Sequence, residues 1–135
     1  DHEGASCVAL PWNSRRNSTR WGILEGTRDQ VGCVHTSQGL EFEYVGVFIG
    51  KDLVYNSESG RLEARYENYH DQAGKKNLLA HESESLKYIK RCYRVLLSRG
   101  IKGARIFCCD KALSDYMRRR LLEARDVRVD GRDPF

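Results

Sequence analysis

Two stretches of the 135-residue sequence concentrate side chains suited to phosphate chemistry. In the first, Val34–Gly50, a small polar turn made of His35, Thr36, Ser37, Gln38 and Gly39 leads through Leu40-Glu41-Phe42 into an apolar run. Small hydroxyl residues beside a glycine let backbone N–H groups approach an anion, because no bulky side chain stands between them. A carboxylate fits poorly in a cradle for phosphate alone, and Glu41 suits a ribose hydroxyl better. In the second stretch, Tyr93–Cys109, an apolar helical pattern ends at Arg99, with Gly100 immediately after it and then a strand pattern. A guanidinium at the end of a buried helix adds little to core packing but presents a fixed fork to phosphate oxygens. Arg99 is therefore the leading catalytic candidate.

These groups need a scaffold. Short apolar runs at Ser6–Leu10, Val31–Val34, Tyr44–Ile49 and Ala104–Cys109 are bounded by turn residues and predict buried strands. Their apolar character is mostly continuous, the pattern of a sheet covered on both faces, which is usually parallel. Between them Ser85–Arg99 predicts a helix, with Leu86, Ile89, Cys92 or Tyr93, and Leu96 or Leu97 recurring at three- and four-residue steps. Ser83 or Ser85 can cap its start, and Gly100 and Gly103 punctuate its end. A second helix over Lys111–Ala124 places Leu113, Met117, Leu121 and Ala124 on one face and turns Arg118 and Arg119 to solvent. Residues 51–81 form a polar excursion with a hairpin or short strand around Arg61–Tyr66, and Asp126–Phe135 is a charged tail. The reading is one α/β domain over residues 1–125 with a tail at 126–135.

Composition bounds the function classes. Hydrophobic residues make up 40% and charged residues 31% of the chain, too apolar for obligate disorder. At 15.5 kDa the chain can bury roughly two-thirds of its extended surface, enough for one core. No run approaches the ~20 apolar residues that span a bilayer, so no membrane partner is expected. The five cysteines (Cys7, Cys33, Cys92, Cys108, Cys109) show no CxxC spacing, which fits a reducing, cytoplasmic setting. The four histidines lack HxxxH spacing, which argues against a metal site. Net charge is +4, yet residues 81–125 hold twelve Lys and Arg against five Asp and Glu, a local surplus of +7. Taken alone, such a surplus reads as a solvated helical face. Trp12 and Trp21 are expected to cover a core edge in preference to stacking on bases, and Cys108-Cys109 to pack.

The two phosphate-handling stretches resemble motifs V and VI of superfamily 1 helicases, where a QGLEF-type turn and a tyrosine followed six residues later by an arginine occur in the second RecA-like domain. More specifically, the chain resembles the C-terminal part of the Schlafen-type DNA/RNA helicase domain family of bacterial proteins. The elements carrying the likeness are Pro11-Trp12-Asn13, Trp21, Gly32 through Phe42, Val45-Gly46-Val47, and Tyr93 through Gly100, in that order over roughly residues 8–115. Relatives commonly carry Thr where Ser98 stands and Pro-Asp-Leu where Lys51-Asp52-Leu53 stands.

The resemblance implies a RecA-like parallel sheet flanked by helices. It also implies that Arg99 is the arginine finger reaching the γ-phosphate of ATP across an interdomain cleft. Gly39 and Glu41 would then lie at the nucleotide, Glu41 near the ribose, and His35, Thr36, Ser37 and Gln38 would link nucleotide to the nucleic-acid backbone.

A P-loop needs G-x-x-x-x-G-K-[ST]. The nearest stretch, Gly46-Val47-Phe48-Ile49-Gly50-Lys51-Asp52, is one spacer short and ends in Asp, and no apolar strand ends in a paired Asp-Glu for magnesium. The expectation is a fragment carrying half of an ATP site. The first RecA-like domain of the same parent would supply the rest, together with ATP and Mg²⁺, and single- or double-stranded nucleic acid would be the partner. The isolated piece should hold no cofactor tightly and hydrolyse nothing. The alternatives are a non-catalytic RecA-like module that binds nucleic acid or protein, and a metal nuclease built on Glu63, His70, Asp71 or Lys76.

Overall fold

A computed structural model describes residues 9–13, 20–27, 29–71, 75 and 82–129. The first named helix or strand among the described residues is a helical turn, α1 (Val34–Ser37), followed by strand β1 (Phe42–Ile49). A hairpin of β2 (Leu53–Asn56) and β3 (Arg61–Ala64) follows, then a single 3-10 turn at Tyr66–Asn68. Helix α2 (Glu82–Leu97), strand β4 (Gly100–Cys108) and helix α3 (Lys111–Val129) come after it. Strands β1 and β4 pair in parallel, as strands joined through a crossover helix do, and β2 and β3 pair antiparallel. This is the expected mixed α/β architecture, a parallel pair flanked by helices.

The buried core draws one or two side chains from each of β1, β2, α2 and α3 and one from the segment after the 3-10 turn. Val47 and Ile49 of β1, Leu53 of β2, Tyr69 after the 3-10 turn, Ile89 of α2 and Leu113 of α3 are buried together. Leu86, Tyr93, Leu96 and Met117 pack around them. Each buried Ile or Leu contributes about 1.5–3 kcal/mol, so the helices are held to the strands by a small number of such residues. The excursion after β1 is thus part of the core, since it supplies Leu53 and Tyr69. It is further pinned by Asp110, whose Oδ2 accepts from Tyr55 N–H (3.1 Å) and from Leu113 N–H (2.8 Å), the latter capping α3. Tyr55 stacks on Tyr116 with ring centroids 4.4 Å apart.

Several expectations are corrected. The strand at Val31–Val34 reduces to a parallel bridge between Val31 and Trp12, because Val34 already begins α1. The run at Ser6–Leu10 lies mostly outside the described residues, and Ala9 and Leu10 are not in a strand. The sheet is covered on one face only among the described residues. Tyr44, Phe48, Arg105 and Phe107 stand exposed on the other, with the Phe48 and Phe107 rings 5.6 Å apart. Helix α3 runs through Val129, beyond Ala124, yet uses only the first half of its stripe: Leu113 is buried while Leu121 and Ala124 are exposed. Trp21 packs edge-on against Phe42, as a core-edge residue should, whereas Trp12 is exposed. Cys109 falls just past β4 and is exposed.

Candidate functional site

The parallel register brings the two phosphate-handling stretches to one edge. Phe42 pairs with Gly100, and Phe42 N–H donates to the Arg99 carbonyl at 2.8 Å, so Glu41 and Arg99 are the residues just before two adjacent strands. The strands then shift register: Tyr44 faces Gly103, which leaves an extra residue in β4. Such bulges re-aim side chains at sheet rims. Here Gly100 comes so close to the Gly103 carbonyl that an added Cβ would sit 2.2 Å from its oxygen. Only glycine lets the chain leave Arg99 and enter the bulge on this path.

Arg99 is half-buried and held by three neutral acceptors. Its Nε donates to the Val95 carbonyl (3.1 Å), Nη1 to the Leu40 carbonyl (3.3 Å) and Nη2 to Ser98 Oγ (3.0 Å). No described carboxylate pairs with it. The guanidinium is oriented against the loop carrying Glu41 while its charge stays unneutralised. Glu41 itself is exposed and makes no ion pair with a described residue. Nearby Glu43 is tied to Lys102 across the bulge.

The turn before Glu41 divides into an inward and an outward half. Thr36 Oγ1 accepts from Cys33 N–H (2.9 Å), and Ser37 Oγ donates to the Cys33 carbonyl (2.8 Å), so both buried hydroxyls cap and close α1. His35, Gln38 and Gly39 face outward. Gly39 has φ +81°, a left-handed conformation in which any side chain would be strained, and it turns the chain from α1 toward β1. His35 Nε2 lies 2.8 Å from Asp71 Oδ2, which also accepts from the Tyr69 hydroxyl (3.1 Å).

At the opposite end of β1 the polar groups form a closed set. Gly50 N–H donates to the Tyr93 hydroxyl (3.0 Å), which donates to Oδ1 of buried Asp52 (2.7 Å). Burial, with the Asp52 carboxylate beside it, holds the Tyr93 phenol well above the usual tyrosine range. Burial likewise raises the Tyr69 phenol and the Cys92 thiol. A cleft of about 850 Å³ opens here between Trp12, His35, Phe48, Asp71 and Tyr93, and neither Arg99 nor Glu41 lines it.

A family model described as the Schlafen group 3 DNA/RNA helicase domain matches residues 2–110. The chain belongs to the Schlafen group 3 DNA/RNA helicase domain family. It is 35% identical over 107 residues to the uncharacterized protein YPL245W of Saccharomyces cerevisiae, a stretch that is 77% of this chain and 24% of that protein. The chain thus spans about a quarter of the curated relative it matches, and the likeness reaches outside bacteria. No solved structure matches it significantly.

The match to the Schlafen helicase domain takes in α1, Glu41, α2 and Arg99, and ends at Asp110, before α3. Among the residues singled out beforehand, the fold gathers Gly39, Glu41 and Arg99 around one strand edge and sets His35 some way along α1 against Asp71. The nuclease set is not gathered: Glu63 accepts from Asn56 Nδ2 (2.7 Å) and pairs with Arg65, while Asp71 faces His35 and Lys76 lies outside the described residues. Among the described residues no group of three or more His, Cys, Asp and Glu is placed to hold a metal ion. Sequence reasoning missed Asp52 and Asp110. An aspartate directly before a helical run is itself a capping signal and marks Asp110. Nothing in the local pattern marks Asp52 as buried.

Proposed function

We propose that this domain is the motor half of a nucleic-acid-dependent ATPase, a DNA/RNA helicase or translocase. It contributes an arginine finger and a ribose-facing carboxylate to an ATP site completed by another domain of the parent protein. The observation that carries this reading is Arg99. Its guanidinium is fixed by three neutral acceptors, faces no described carboxylate, and sits one strand away from Glu41. A cation that the fold orients without neutralising suits an anionic ligand, and the planar fork matches phosphate oxygens.

In this scheme Arg99 stabilises the negative charge spread over the transferred phosphoryl group, the role for which such fingers are worth ~10³–10⁵ in turnover. Glu41 accepts from the ribose hydroxyls and fixes the register of the nucleotide. The outward half of the turn, His35 and Gln38, meets the nucleic-acid backbone, while Thr36 and Ser37 hold its shape. Mg²⁺ belongs to the domain that supplies the P-loop, because, of the two carboxylates at the edge built by this chain, Glu41 stands beside a guanidinium and Glu43 is already tied to Lys102.

The test is ATP hydrolysis by the intact parent with and without single-stranded nucleic acid. Stimulated hydrolysis that disappears in Arg99→Ala supports the assignment. An unchanged rate in that variant overturns it, and undiminished nucleic-acid binding without any hydrolysis in the parent marks a non-catalytic binding module instead.

A further inference from the structure

The outer face of α2 carries a charge pattern that folding does not account for. Lys87, Lys90, Arg91 and Arg94 are all exposed and stand at i, i+3, i+4 and i+7, the spacing of one helical stripe. Opposite them, Ile89 is buried, with Leu86, Tyr93 and Leu96 packed on the core. Each cation has another cation three or four residues away, and such like-charge neighbours destabilise a helix as opposite charges at that spacing stabilise it. None of the four forms an ion pair with a described residue. The acidic residues of α2, Glu82 and Glu84, lie in its first turn, ahead of the stripe.

Helix α3 offers a partial contrast: Arg118 and Arg119 are exposed and make no ion pair with a described residue, but two of its cations are paired within the helix. Its Lys111 pairs with Asp115 at 2.9 Å and its Arg120 with Glu123 at 2.8 Å, each within helical reach. Favourable interaction of a cation with the C-terminal end of the helix dipole accounts for Arg94 alone, since the effect fades beyond the last turn. The stripe on α2 is therefore a self-repelling row that a polyanion would relieve. It spans ~10 Å along the axis at ~1.5 Å per residue, and the helix that carries it ends at the edge where Arg99 and Glu41 stand.

We infer that Lys87, Lys90, Arg91 and Arg94 form a track for the phosphate backbone of single-stranded nucleic acid, separate from the turn at His35–Gln38. Because its contacts are to phosphates, it binds without regard to sequence. The inference rests on the nucleic-acid part of the proposed function, not on ATP hydrolysis.

The experiment uses the intact parent without nucleotide and a fluorescein-labelled 20-residue oligothymidylate, read by anisotropy from low to moderate salt. Replacing all four residues (Lys87→Gln, Lys90→Gln, Arg91→Gln, Arg94→Gln) is expected to reduce the slope of log affinity against log salt by about 2–3, at ~0.7 per lost single-strand phosphate contact. A variant removing equal charge from α3 (Lys111→Gln, Arg118→Gln, Arg119→Gln, Arg120→Gln) should change the slope by less than about one such contact. Arg91→Lys with Arg94→Lys, which keeps the charge, should retain the slope, and an unchanged melting temperature of the quadruple α2 variant excludes a folding artefact.

Equal losses in the two quadruple variants overturn the inference, as does an unchanged slope in the α2 variant. So does α2-dependent binding to phosphatidylserine vesicles without binding to the oligonucleotide. The outcome is separable from the ATPase reading: Arg99→Ala tests hydrolysis, and the α2 variants test binding in the absence of nucleotide.

Discussion

At the far end of β1, polar groups consume one another; at the near end they are held in place and left unspent. Tyr93 shows the first plan, with its hydroxyl accepting from Gly50 and donating to buried Asp52. Arg99, six residues later on the same helix and its exit, shows the second. Its fork is fixed by carbonyls and a hydroxyl that orient it without cancelling its charge. Both use a side chain from the end of α2 to tie the helix to β1 and its flanking loops, yet one tie is closed and the other open. A closed tie stabilises, while an open one retains its capacity for a ligand.

The sharpest way to break this contrast is to remove the open tie. Arg99→Ala in the intact parent should lower nucleic-acid-stimulated ATP turnover by ~10³-fold or more. Its thermal unfolding should shift little, because the lost bonds go to partly solvated neutral acceptors. Arg99→Lys should rescue little, since a point charge does not reproduce the planar fork. A large drop in melting temperature with Arg99→Ala would show that the two ends are not built differently.

Removing the closed tie should do the reverse. Tyr93→Phe leaves the Gly50 N–H and the buried Asp52 carboxylate without their shared partner, at a cost of about 1–3 kcal/mol. Chemical denaturation should show the midpoint falling at unchanged slope, with turnover of the folded fraction preserved. A stable variant with lost turnover would move Tyr93 into the catalytic apparatus.

Glu41 tests the open end more gently. Glu41→Gln keeps size and one acceptor but gives up a charge-assisted bond, and about 1.4 kcal/mol is tenfold in an equilibrium constant. The expected result is a rise in KM for ATP of about tenfold with kcat nearly unchanged. A fall in kcat as large as that of Arg99→Ala would give Glu41 a part in the chemical step.

How far these features were legible from sequence follows the same division. The open end was readable because its groups are local in sequence: Gly39, Glu41 and the Arg99-Gly100 step each stand beside the strand they precede. The helix over Ser85–Arg99 was readable from its stripe, and it appears as Glu82–Leu97. The closed end was not readable, because Asp52 and Tyr93 meet across 41 residues and only tertiary contact buries them. The same holds for the excursion after β1, whose polar sequence conceals that Leu53 and Tyr69 complete the core. Continuous apolar strands suggested two covered faces, but the described helices occupy only one, and Phe48 and Phe107 stay open to solvent. The inward turn of Thr36 and Ser37 was also hidden, since a hydroxyl beside glycine reads equally as a ligand or a cap.

The smallest effect expected is one of pH, and it belongs to the closed end. Tyr93 holds its proton more tightly when folded than the ordinary tyrosine value of 10.0, because burial and the Asp52 charge both disfavour the phenolate. Below pH ~10 the phenol is protonated in folded and unfolded chains alike, so the full stability is present. Above it the unfolded chain releases this proton while the folded chain keeps it, and stability falls as pH rises. Denaturation midpoints measured from pH 8 to 11 should therefore decline more steeply for the natural domain than for Tyr93→Phe, which has no proton to release at that position. The curves would converge at high pH, since the variant begins lower and loses less. Parallel curves would mean that the Tyr93 hydroxyl is not held as the closed tie requires, and the distinction between the two ends would then rest on Arg99 alone.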